Sequence, residues 1–180
     1  VYWSWSSESA LAEAEIEYKD DKSFSIYVKF KSVDLNCHMP KGTDPDKVFA
    51  LIWTTTPWTI PCNVAISANE NFEYVWVRIG DEYLLMAKDL VEPTMKAGKV
   101  EDYEVLSDVM TGKQLEGLVF KHPFYDRKVP IILGDHVTLE AGTGLVHTAP
   151  DHGQDDFDVC KKYAAWGLKP LGTVDGTGRY

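Results

Sequence analysis

Apolar and polar residues alternate strictly over 23–32. Phe24, Ile26, Val28 and Phe30 fall on one side of an extended chain and Ser25, Tyr27, Lys29 and Lys31 on the other, which predicts a half-buried strand. Residues 11–18 pull two ways, because their Ala and Glu favour a helix while Ala14, Ile16 and Tyr18 alternate with glutamates; a helical turn running into a strand is the expectation. The apolar run 48–55 reads as a buried strand that Pro57 stops. Segments 72–79 and 82–87 flank Gly80-Asp81 and predict a hairpin. Asp89 followed by Glu92 marks a helix start, with Pro93 in its first turn and Gly98 as its end. Further strands are expected at 103–106, 129–133, 137–139 and 145–148. A last helix is expected at 154–166, with Phe157, Cys160, Tyr163 and Ala164 on its apolar face and Gly167 as a stop. Many short strands without strict βαβ alternation predict an α+β fold, a β-barrel-like domain with two or three peripheral helices.

Composition narrows the function classes. A chain of 180 residues, 44% hydrophobic and 12% aromatic, suits one globular domain burying about 70% of its extended surface. Its 18 Lys+Arg against 28 Asp+Glu leave a formal net charge of −10, which argues against gripping nucleic acid by bulk charge. A pocket receiving one nucleotide presented by a neighbouring domain remains compatible with that charge. The longest apolar run, 48–53, is far short of the ~18 residues of a membrane span, and the first residues do not resemble a signal peptide. Cys37, Cys62 and Cys160 form no Cys-x-x-Cys, which points to a reducing compartment, no disulfide framework and no cysteine-based zinc site. A cytoplasmic protein without membrane contact is the expectation.

Phosphate loops, dinucleotide fingerprints, nucleophile elbows and His-Glu-x-x-His are absent, and Gly142-Thr143-Gly144 reads best as a turn. Two segments stand out. In Trp53-Thr54-Thr55-Thr56-Pro57-Trp58-Thr59-Ile60-Pro61, four hydroxyls, two indoles and two prolines share nine residues. Composition alone favours a proline-rich turn there, but such a rigid path also presents hydroxyls and backbone N–H groups to a ligand. In 142–157 a strand delivers His147, and Asp155 and Asp156 open a helix whose dipole they complement. The two His and four Asp over 147–158 invite a metal reading too. His147 and His152 are separated by Pro150 and share no helical face, so no metal site is expected, a hard-cation site through the Asp residues alone being the alternative. His38, His122 and His136 sit beside expected turns and read as solvated.

At these segments the chain resembles the editing domain, or connective peptide 1, of isoleucyl-tRNA synthetase, a class I aminoacyl-tRNA synthetase. Trp53-Thr54-Thr55-Thr56-Pro57-Trp58-Thr59 with Asn63 is similar to its threonine-rich motif, and Gly142 through Pro150 with Asp155-Asp156-Phe157 to its second motif. The opening 6–15 is similar to the stretch entering that domain. Valyl and leucyl relatives usually carry Arg at Thr56 and an acid at Trp58, and generally lack the histidine at 147; these differences favour the isoleucyl member. His-Ile-Gly-His and Lys-Met-Ser-Lys-Ser are missing, and Cys37-His38-Met39-Pro40 is no substitute, so residues 1–180 are expected to be a single editing domain excised from a larger synthetase.

The resemblance implies hydrolysis of valine wrongly esterified to the 3′-terminal adenosine of tRNA for isoleucine. It assigns Thr54, Thr55, Thr56, His147 and Asp156 to catalysis, and Trp58, Asn63, Asp156 and His147 to substrate binding. No cofactor is expected in this fragment, ATP belonging to the parent enzyme. The expected partners are the 3′ end of aminoacylated tRNA, its valine moiety and the rest of the synthetase, with the fragment itself monomeric. A metal-assisted hydrolase and a non-catalytic tRNA-binding module are the alternatives.

Overall fold

A nine-stranded mixed sheet carries the chain, as a computed structural model describes it for residues 1–33 and 42–180; Cys37 and His38 lie outside the described residues. A small ribbon of β1 (Trp3–Ser4) and β2 (Ser9–Ala10) comes first. Then follow β3 (Ile26–Ser32), β4 (Val48–Thr54), β5 (Ala65–Ala68), β6 (Glu73–Ile79) and β7 (Glu82–Ala87). Helix α1 (Val91–Ala97), β8 (Glu104–Thr111) and the single turn α2 (Gly112–Leu115) come next. The chain continues through β9 (Val119–Lys121), β10 (Lys128–Leu133), β11 (Leu145–Thr148) and α3 (Gln154–Lys162). The sheet order is β11-β5-β10-β9-β3-β4-β7-β6-β8, with β4/β7 and β5/β10 parallel and the other pairs antiparallel.

The alternation in β3 and β4 puts Phe30, Val48, Ala50 and Ile52 into the main core with Trp76, Phe120 and Ile131. On the outer face α1 lays Val91 and Met95 over Leu51, Val75, Val77 and Met86. Helix α3 brings Val159 and Cys160 against Val64, Ala65 and Ile132. The sheet curls so that β11 packs against β4, yet among the described residues no strand pairing joins them. The fold is therefore α+β and barrel-like without being a closed barrel. No helix among the described residues is long and apolar enough to cross a membrane.

Several expected elements change shape. Residues 11–18 form only a 3₁₀ turn at Glu13–Glu15, where the Glu15 carboxylate accepts the Ala12 N–H at 2.7 Å; no strand follows, and Tyr18 is exposed. The expected strand at 137–139 is absent, its backbone serving instead as acceptor for the Asn69 side chain at 3.1 Å. The helix expected from Asp89 begins as a 3₁₀ turn, Lys88–Leu90, before α1. The helix expected over 154–166 breaks at Tyr163, continues as a 3₁₀ turn, Ala164–Trp166, and ends at Gly167 with φ +79°. Its buried side is Val159 and Cys160 rather than Phe157 and Ala164.

Candidate active site

The two singled-out segments meet because β5 returns between them. Strand β4 ends at Thr54, and the chain leaves it through a 3₁₀ stretch, Pro57–Cys62, started by one proline and containing another. Pro57 has no N–H to lose at a first turn, and Pro61 fixes φ where the path bends into β5. Strand β5 then pairs antiparallel with β11, setting His147 opposite Ile66 and Thr148 opposite Ala65. The result is a cavity of about 300 Å³ lined by Trp53, Thr54, Thr56, Trp58, Thr59, Val146, His147, His152 and Asp156.

His147 is held at both ring nitrogens. Its Nε2 lies 2.7 Å from Thr59 Oγ1, and its Nδ1 lies 3.1 Å from Asn63 Nδ2. The Thr59 hydroxyl donates its one proton to the Thr56 carbonyl at 2.7 Å, so Nε2–H must donate to Thr59 and Nδ1 must accept from Asn63. The network thereby assigns a neutral imidazole with its proton on Nε2. Burial, followed by His152 and His122, pushes its pKa down to about 4, in agreement with that neutrality. Thr54, Thr56 and Thr59 hydroxyls form a chain with spacings of 3.2 and 3.3 Å.

Asp156 faces the cavity from the first turn of α3. Its Oδ2 accepts the Ala149 N–H at 2.9 Å, and Oδ1 stands 3.9 Å from His136 Nε2. Burial raises its pKa above the usual carboxylate value, opposed by the Ala149 bond and by His136. The site thus joins a negative group, a neutral imidazole and a row of hydroxyls under two indoles. That combination can hold a cation at one end and polar oxygens at the other.

The expected site residues do not all reach the cavity. Thr54, Thr56, Trp58, His147 and Asp156 line it. Thr55 is exposed and outside the lining, its carbonyl accepting from Ser23 Oγ at 3.0 Å. Asn63 is fully buried behind His147, bound also to the Ala65 carbonyl at 2.8 Å, so it positions the imidazole rather than facing a ligand. Thr59 and His152 line the cavity too, though neither is among the expected site residues. Thr59 stands three residues beyond Thr56 in the same motif, a spacing that brings side chains together once the segment is 3₁₀. His152, with Nε2 3.0 Å from Cys62 Sγ, reads in the sequence only as a candidate metal ligand.

Two histidines expected to be solvated are not. His122 is buried, Nε2 lying 2.9 Å from the Ile60 carbonyl while Nδ1 accepts from the Phe124 and Tyr125 amides, so its turn closes over its own ring. His136 is half-buried, its Nε2 without a hydrogen-bond partner among the described residues and 3.9 Å from Asp156 Oδ1. Cys62 and Cys160 are buried free thiols.

Known proteins can be set beside this geometry. A family model described as leucyl-tRNA synthetase, editing domain, matches residues 87–170, which include the His147–Asp156 segment but not the threonine one. The isoleucine–tRNA ligase of Actinobacillus pleuropneumoniae serotype 5b (strain L20) is 52% identical over 184 residues, covering 100% of this chain and 19% of that protein. The chain thus spans about a fifth of the length of such curated relatives. Among solved structures, one described as GlLeuRS-CP1 matches with a TM-score of 0.66 at 16% identity, covering 84% of this chain and 72% of that one. The editing domain of the P. knowlesi cytosolic leucyl-tRNA synthetase matches with a TM-score of 0.62 at 14% identity, covering 81% and 65%. These two likenesses are of fold.

Proposed function

The chain belongs to the editing domains of the isoleucyl- and leucyl-tRNA synthetases, and from that membership we propose that it hydrolyses the ester of valine misattached to tRNA for isoleucine. The observation that carries this reading is the meeting of the threonine segment, His147 and Asp156 around one cavity. Asp156 holds the substrate's α-ammonium by a charge-assisted hydrogen bond. His147 borders the side-chain pocket, and Trp58 forms part of its wall. Thr54 and Thr56 orient the ester, the terminal ribose and the attacking water, while Asn63 and Thr59 keep the imidazole in place.

The chemical problem such a site solves is one of size. A methylene is worth only ~1–3 kcal/mol in an apolar pocket; isoleucine against valine is the standard example of that limit and of double-sieve correction, and the figure is the general one. An aminoacyl ester is already reactive, so a positioned water suffices, without ATP or a cofactor. Metal assistance by His147 is disfavoured because both its nitrogens are engaged by Asn63 and Thr59. The reading puts the reaction in the cytoplasm, on the 3′ end of a tRNA delivered by the rest of the synthetase.

Incubating the chain with Val-tRNA and Ile-tRNA tests it. Valine is released, isoleucine spared, EDTA changes nothing, and Asp156→Ala abolishes turnover; His147→Ala lets Ile-tRNA be attacked. No release by the unaltered chain would leave a non-catalytic tRNA-binding module, and loss under EDTA restored by one divalent ion would return the metal-assisted hydrolase.

A further inference from the structure

A second depression lies away from the cavity, on the outer face of the sheet. It is a groove of about 600 Å³ whose lining includes Lys29, Lys31, Lys121, Phe49, Phe124 and Tyr125. The strand register there is unusual. Lys31 stands directly opposite Lys121, and Lys121 directly opposite Lys128, so three lysine positions form one row across β3, β9 and β10, with Lys128 at the row's end beyond the groove's lining. Their neighbours Phe30, Phe120 and Val129 all point into the core, which puts the three lysines on the outer face. Like charges directly opposite destabilise a sheet, and this chain has ten more acids than bases available to avoid the arrangement.

The carboxylates nearby offset two members of the row at the surface and leave the third, Lys128, without one among the described residues. Lys31 pairs with Asp46 at 2.8 Å, Lys29 with Glu82 at 2.8 Å and Lys121 with Asp126 at only 3.9 Å, all at the surface where such pairs are weak and exchangeable. Lys128 has no carboxylate partner among the described residues, and Arg127 spends its guanidinium on the Pro61 and Asn63 carbonyls. Beside the lysines stand two aromatic rings with free surface, Phe124 at 59% and Tyr125 at 45% exposure. Cations interleaved with exposed rings are what a single nucleic-acid strand requires, phosphates meeting the former and bases stacking on the latter.

The groove also points at the cavity. Strand β4 puts Phe49, Leu51 and Trp53 on one face; Phe49 lines the groove and Trp53 the cavity, four residues or about 13 Å away. Along the adjoining β3, Tyr27, Lys29 and Lys31 face outward beside Trp53, Leu51 and Phe49. We propose that this groove holds the unpaired nucleotides that precede the terminal adenosine, so that the strand runs over β3 and delivers its aminoacylated end to the cavity. The proposal rests on the functional reading above and adds to it the surface that grips the substrate.

Fluorescence anisotropy of a labelled RNA tetranucleotide, ACCA, with the 180-residue chain reads occupancy without any need for hydrolysis. Lys121→Glu/Lys128→Glu weakens binding about tenfold or more at low salt and flattens its decline with salt. The neutral pair Lys121→Gln/Lys128→Gln does so less steeply, with circular dichroism verifying the fold of both. Phe124→Ala weakens binding about fivefold at every salt concentration. Lys96→Glu/Lys113→Glu, the same charge change on α1 and α2, alters it less than about twofold. Equal loss in both reversed pairs, indifference to the groove residues, or no RNA binding by the unaltered chain overturns the proposal; the last is also what a groove covered by the rest of the synthetase would give. Failure of the hydrolytic reading looks different: RNA bound through these lysines while no valine is released.

Discussion

His147 shows what one residue costs and does. A buried neutral imidazole with both nitrogens engaged leaves the Asn63 Oδ1 without a partner among the described residues, a desolvation cost that accompanies the ring's fixed orientation. The unfolded chain takes up a proton at this residue near the ordinary value of 6.5, the folded chain only near 4. Below pH 6.5 protons therefore draw the equilibrium toward the unfolded state, by about 3 kcal/mol once pH 4 is reached. Urea melts of the wild type and His147→Gln should converge as pH falls from 7 to 4, because the variant lacks that loss. Asp156 has the opposite sign. Its raised pKa means that the charged carboxylate strains the folded state at pH 7, so Asp156→Asn, which can still accept the Ala149 N–H, should abolish deacylation while leaving the melting temperature equal or higher.

At the scale of elements, legibility followed the visibility of one face. Strands β4 and β11 and the β6–β7 hairpin were readable because their alternation or apolar run matches their burial. Strand β5 was not: Ala65–Ala68 is buried on both faces between β11 and β10, so its four small or apolar residues alternate with nothing. Strand β9 is three residues long, below the length at which a period exists. The cavity itself was partly legible, since both motifs were visible but their meeting depends on β5. Gly142-Thr143-Gly144, read as a plain turn, does more than turn: the Thr143 carbonyl accepts the Ala87 N–H at 2.8 Å, and Gly144 has φ +71° with an added Cβ lying 2.3 Å from Ala87 Cβ. Gly144→Ala should destabilise the fold by on the order of 3 kcal/mol in urea melts, from backbone strain and overpacking together.

For the whole molecule, the charge of −10 and a sequence pI of about 4.9 mean self-repulsion at neutral pH. Raising sodium chloride from about 0.01 to 0.15 M should raise the melting temperature at pH 7 by screening that repulsion; a fall would show that the surface ion pairs outweigh it. The same charge explains why the lysine row was not legible from composition: it is local, confined to a register of three strands that no overall count reveals. The curl of the sheet has a mechanical corollary. Strand β11 lies against β4 with no strand pairing between them among the described residues, and the cavity straddles that line, taking Trp53 and Thr54 from one bank and Val146 and His147 from the other. Among the described residues the sheet is thus a split ring pinned at one end of its slit, where the Ala87 N–H donates to the Thr143 carbonyl, and the amides along the outer rim of β11 should trade their hydrogens for deuterium faster than those bonded to β5.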